Sequence, residues 1–113
     1  MDKQVKNYLK ILETTPENVP AFRALEKIFT EKEQFEELAG LYERRAGSVK
    51  KQTEELFLKA ADLYHEKLSA PEEMERVLLA LLEKSPGNKA GMEILQRYYD
   101  ETGQSRKLKG MLA

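Results

Sequence analysis

The chain has no cysteine, no tryptophan and a single histidine in 113 residues. Without cysteine it can form no disulfide, no thiolate zinc site and no cysteine nucleophile. Its few glycines are scattered, with Gly87, Gly103 and Gly110 isolated, so no glycine-rich loop is present to cradle a phosphate. Long apolar runs are missing too. The longest, Val77 to Leu82, has six residues, whereas a membrane-spanning helix needs roughly 20. The N-terminus lacks the apolar stretch of a signal peptide, and a cytoplasmic protein without membrane insertion is expected. Charge of one sign is also lacking: 19 basic and 20 acidic residues leave a net charge of −1. Duplex-binding domains draw affinity from clustered lysine and arginine that displace counterions, and here only Arg106-Lys107-x-Lys109 forms a local basic cluster.

What is present suits one small helical domain. Hydrophobic residues make up 41% of the chain and charged residues 35%, enough for a modest core under a large wet surface. Apolar residues recur at spacings of three and four, and no segment alternates as a strand would. Stop and start signals divide the chain into seven helical stretches. The first, over about residues 2–13, carries Val5, Tyr8, Leu9 and Leu12 on one stripe. Thr14-Thr15-Pro16 ends it, because the residue before proline disfavours the helical region. Asn18 caps the second, which runs to about Glu31 with Pro20 in its first turn. The third covers about residues 34–46, with Gly47 as a left-handed C-cap. The fourth starts near Ser48 or Thr53 and reaches Leu68. Ser69-Ala70-Pro71-Glu72 reads as a capping box that opens the fifth, which ends near Lys84. Asn88 caps the sixth, and residues 105–112 read as a short seventh.

These helices repeat. Phe22/Leu25/Phe29, Phe57/Ala60/Tyr64 and Met92/Leu95/Tyr99 are three copies of one pattern, each 35 residues from the last. The following helix of each unit gives Leu38/Tyr42, Met74/Leu78 and Leu108/Leu112, at steps of 36 and then 34. Tyr8 stands 34 residues before Tyr42. One helix pair cannot bury its apolar stripe alone, so neighbouring pairs must stack.

The pattern resembles the tetratricopeptide repeat, a helix–turn–helix unit of about 34 residues. The resemblance covers nearly the whole chain. Residues 1–16 match the second helix of a preceding unit, 17–50 and 51–86 two full units, and 87–113 an incomplete one. The family's usual first tryptophan is replaced by Phe22, Phe57 and Met92, and its small residue appears only as Ala61. The resemblance implies an all-α fold, a right-handed α–α superhelix of antiparallel helix pairs. Because the chain begins and ends inside a unit, it reads as a segment of a longer array. The competing reading is a homodimer through exposed terminal helices.

Candidate chemistry is sparse. Asp62, His65 and Glu66 share a helix face, but three groups on one turn cannot surround a metal, and no second histidine or cysteine completes a catalytic site. Adjacent carboxylates such as Glu36-Glu37 and Glu72-Glu73 point about 100° apart on a helix, which suits helix N-termini better than acid–base catalysis. No enzyme activity, cofactor or metal is therefore expected. The resemblance implies a concave groove lined by the first helix of each unit. Its exposed positions here are Arg23, Lys27 and Thr30, then Leu58, Asp62 and His65, then Glu93, Arg97 and Asp100. Arg23, Lys27 and Arg97 could hold a peptide carboxylate. The leading expectation is a non-enzymatic scaffold that binds a protein segment in a mixed-charge groove. The alternatives are a single-stranded RNA-binding repeat and a purely structural segment. RNA binding is disfavoured because residues 1–47 carry eight bases against nine acids, and residues 48–87 carry six against eight.

Overall fold

The computed structural model describes residues 3–48 and 52–103. Six α-helices follow in order: α1 (Lys3–Thr14), α2 (Val19–Glu31), α3 (Phe35–Ser48), α4 (Thr53–Asp62), α5 (Pro71–Lys84) and α6 (Lys89–Glu101). A π-helical turn, Leu63–Lys67, continues α4 without a break. The described residues include no strand. No helix among them is long and apolar enough to cross a membrane. The expected seventh helix lies outside the described residues.

The two Pro-x-Asn signals fold alike. Asn18 Oδ1 accepts the Ala21 N–H and Asn88 Oδ1 accepts the Gly91 N–H, each at 2.8 Å. An exposed N–H in the first turn is thereby satisfied at both helix starts. The repeat positions also bury alike. Leu25, Ala60 and Leu95 have no exposed surface, and Phe29, Tyr64 and Tyr99 are all buried. Leu38 with Met74, and Tyr42 with Leu78, are buried on the following helices. Met92 departs, being half-buried where Phe22 and Phe57 are buried.

Packing runs along the chain: α1 lies on α2, α2 on α3, α3 on α4, α4 on α5 and α5 on α6. The outcome is elongated, 46 × 27 × 16 Å, with a radius of gyration of 15.2 Å. A compact domain of this length would have about 13 Å. Hydrogen bonds tie neighbours together above the apolar contacts. The Tyr42 hydroxyl donates to Glu26 across α2 and α3, and the Tyr64 hydroxyl to Glu43 across α4 and α3, both at 2.6 Å. Tyr99 bonds Glu75 in the same way between α6 and α5. Arg76 then joins Glu43 at 2.7 Å to Glu73 at 2.7 Å, linking α3 with α5. Arg45 is half-buried, with its guanidinium 4.4 Å from the centre of the Phe22 ring.

Three local expectations are corrected. Gly47 is not a left-handed cap but lies inside α3, which runs on to Ser48, whose hydroxyl donates back to Arg44 O at 3.0 Å. Ser69 is not the N-cap of α5 either. It adopts the left-handed conformation, φ 48°, and the cap position falls on Ala70 with no side-chain bond. Ser69 is needed to close the preceding helix, so it cannot also open the next. The stretch expected as plain helix to Leu68 is the π turn.

The π turn has a numerical origin. In the first unit Glu33, four residues after Phe29, is left-handed with φ 55°. The Gln34 N–H reaches Phe29 O at 2.8 Å and the Glu33 N–H reaches Thr30 O at 3.2 Å, a Schellman cap. In the third unit Gly103, four residues after Tyr99, is left-handed with φ 71°. In the middle unit Ser69 comes five residues after Tyr64, and the Ala70 N–H spans six residues to Tyr64 O at 2.7 Å. One surplus residue has entered this helix end, and a turn closed by i→i+5 bonds absorbs it. The same surplus is the step of 36, rather than 35, between Leu38 and Met74.

Deleting Lys67, which is exposed and whose ammonium lies 5.5 Å from the Phe35 ring centre, should restore a regular helix end. The expected cost is under about 1 kcal/mol, the worth of an exposed cation–π contact, read by denaturant unfolding. A loss of cooperative unfolding would show that the π turn is required by the stack.

The tyrosines give a pH dependence. Burial, and then the bonds to Glu26, Glu43 and Glu75, raise the pKa values of Tyr42, Tyr64 and Tyr99 well above that of a free phenol. An unfolded phenol ionises near pH 10, and the folded ones do so only higher. Their stabilising contribution is therefore complete below about pH 10 and is lost as pH rises further. Tyr64→Phe should reduce this alkaline loss in unfolding titrations; an unaltered profile would discount the hydroxyl–carboxylate bond.

Candidate functional site

Packing decides which strips stay wet. With α3 and α5 covering two sides of α4, the residues left to solvent on α4 and its π turn include Asp62, His65 and Glu66. On α6 the corresponding exposed residues are Glu93, Arg97, Asp100 and Glu101. Between these strips lies a notch of about 330 Å³. Asp62, His65 and Glu66 form one wall and Arg97, Tyr98 and Glu101 the other, with Ala61, Met74 and Ile94 adding apolar lining.

Two more open depressions adjoin it. One of about 340 Å³ lies toward α2 and α3, lined by Thr30, Phe35 and Tyr42 together with Lys59, Lys67 and the shared Asp62 and Glu66. The other, about 350 Å³, continues past α6 along Glu93, Asp100 and the shared Arg97 and Glu101. Shared residues thus join three depressions in sequence.

Of the nine expected groove residues, Asp62, His65 and Arg97 meet in the notch, Thr30 lines the depression on one side, and Glu93 and Asp100 that on the other. Arg23 and Lys27 are exposed on α2 and line none of these three depressions. Leu58 is half-buried and packs against the core. Glu66 and Glu101, missing from the expected groove, each stand four residues after an expected member. Helical spacing alone places them on the same face. Met74 and Tyr98 carry no comparable sequence signal, since Met74 reads as a core repeat position and Tyr98 belongs to neither the repeat pattern nor the expected groove.

The notch is acidic. Asp62, Glu66 and Glu101 oppose Arg97. Among the described residues none of these four is in an ion pair or side-chain hydrogen bond. Desolvation, and then the charge of Glu66, raise the pKa of Asp62 above the ordinary value, with His65 partly opposing the rise. No group of three or more His, Cys, Asp or Glu side chains among the described residues is arranged to hold a metal ion. The lining offers acidic acceptors, one guanidinium and an apolar floor, a set suited to reversible contact.

A raised carboxyl pKa means that the ionised form of Asp62 opposes folding. Asp62→Asn should therefore stabilise the protein at neutral pH by roughly 0.2–0.5 kcal/mol, the size of one like-charge helical pair. The gain should vanish as pH falls through the carboxylate range, where wild-type Asp62 also loses its charge. Destabilisation at neutral pH would mean that Asp62 supports the fold.

No protein-family model, curated protein or solved structure matches the chain.

Proposed function

We propose that the chain is a tetratricopeptide-like helical-repeat segment that works as a non-enzymatic scaffold, presenting the wet strips of its first helices, α2, α4 and α6, to an extended protein segment. The observation that carries this reading is the run of three adjoining depressions along those helices, joined by shared residues. Matching burial of Leu25/Ala60/Leu95 and of Phe29/Tyr64/Tyr99, at 35-residue steps, supports the repeat assignment. Packing of each helix on its chain neighbours supports a solenoid, and a superhelical groove is what such stacking generates. Single-stranded RNA is the weaker reading. Five carboxylates against three lysine or arginine side chains line the depressions, and that balance would repel phosphates.

The test is affinity capture from source cells with the wild type and with Asp62→Lys/Arg97→Glu, after circular dichroism confirms that the variant is folded. A protein held by the wild type and lost by the variant is the expected result. Equal capture by both would move the working surface away from α4 and α6.

A further inference from the structure

The walls of the notch combine two features that one kind of side chain satisfies together. Asp62, Glu66 and Glu101 face it with a single opposing cation, Arg97, so its fixed carboxylate and guanidinium charge is −2. Ile94 and Tyr98, both half-buried, supply apolar surface beside those carboxylates, over a buried Met74. Lysine and arginine have this build, an aliphatic stem behind a cationic head. The volume, about 330 Å³, stands at the low end of ligand pockets and fits one long side chain better than a cofactor.

The state of the carboxylates points the same way. Elsewhere in the protein, carboxylates at helix joints have partners: Glu43 takes the Tyr64 hydroxyl and Arg76, and Glu73 takes Arg76. Those in the notch have none among the described residues. Asp62 and Glu66 stand close enough for one charge to disfavour the other. The wall they form is also the π turn and the residue before it. Such turns frequently accompany functional sites.

We propose that the notch between α4 and α6 receives a single lysine or arginine side chain from a protein segment, its head between Asp62, Glu66 and Glu101 and its stem against Ile94 and Tyr98. This rests on the scaffold reading above. Arg97 limits the attraction and sets a preference for a lone cationic residue over a dense cationic run. The neighbouring depression sets Lys59 and Lys67 against the shared Asp62 and Glu66, a balance that favours a neutral residue a few positions along the same segment.

A positional-scanning library of nonapeptides, each pool fixed at its central residue, tests this on the full chain. Pools fixed as Arg or Lys should be retained about tenfold better than pools fixed as Ala or Glu, the worth of one charge-assisted hydrogen bond. Asp62→Asn/Glu66→Gln should abolish that preference. Arg97→Ala should strengthen it, a gain that general unfolding could not produce. Preference for acidic pools, no preference, or a preference indifferent to these substitutions would overturn the inference and leave the scaffold reading standing. No pool retained at all would overturn both.

Discussion

The structure depends on a burial that no single helix pair can achieve. Leu25 and Ala60 have no exposed surface, and the helices that carry them, α2 and α4, each pack on both of their neighbours along the chain. Taking α4 out of the stack would uncover α3 and α5 together, so stability is shared between interfaces rather than owned by any helix. The same constraint shapes the surface. A helix covered on two sides has one narrow strip left for water, and in a stack these strips line up. The depressions along α4 and α6 are thus a by-product of the core, and the exposed side chains that line them can vary without disturbing the apolar contacts beneath.

The one irregularity in the stack follows from counting. The middle unit has ten residues from Tyr64 to Met74 where the first has nine from Phe29 to Leu38. Since the core positions on both sides are buried, the surplus cannot shift the register of either helix without pulling a large side chain out of contact. It is taken up between them, by a wider turn at Leu63–Lys67 and a left-handed Ser69. A loop insertion would have done as well energetically, but it would have left Asp62, His65 and Glu66 on a regular helix.

How far the sequence reveals the fold depends on whether a feature is periodic. The six described helices, both asparagine caps and the buried repeat positions were legible, because each rests on spacing or on a residue with one dominant backbone role. Gly47 misled because a glycine near a helix end is a permissive signal, and the chain simply stayed helical. Ser69 misled because a serine three residues before a glutamate can either cap a helix or sit just outside one; the left-handed turn after the π segment decided against the cap. The π turn itself was present as the uneven steps of 36 and 34 residues, which gain meaning only when the helix ends are compared. For the notch, Asp62, His65 and Arg97 were named through the resemblance, as exposed positions on the first helix of their units, and all three line it. The contributions of Met74 and Tyr98 were not legible, since these depend on how far neighbouring helices stand apart.

The distribution of paired and unpaired acids separates what holds the fold from what it presents. Glu26, Glu43 and Glu75 each satisfy a buried tyrosine hydroxyl that would otherwise be left without a partner, a loss of about 1–3 kcal/mol apiece. Asp62 satisfies nothing comparable, and its charge is opposed by burial and by Glu66. A neutral side chain of the same shape would serve the stack at least as well. Local rules of helix design are broken here without return to the core, and departures of that kind tend to fall where a protein meets something else. The acidic notch, beside the only π turn among the described residues, is therefore the part of this surface whose chemistry the stack does not explain.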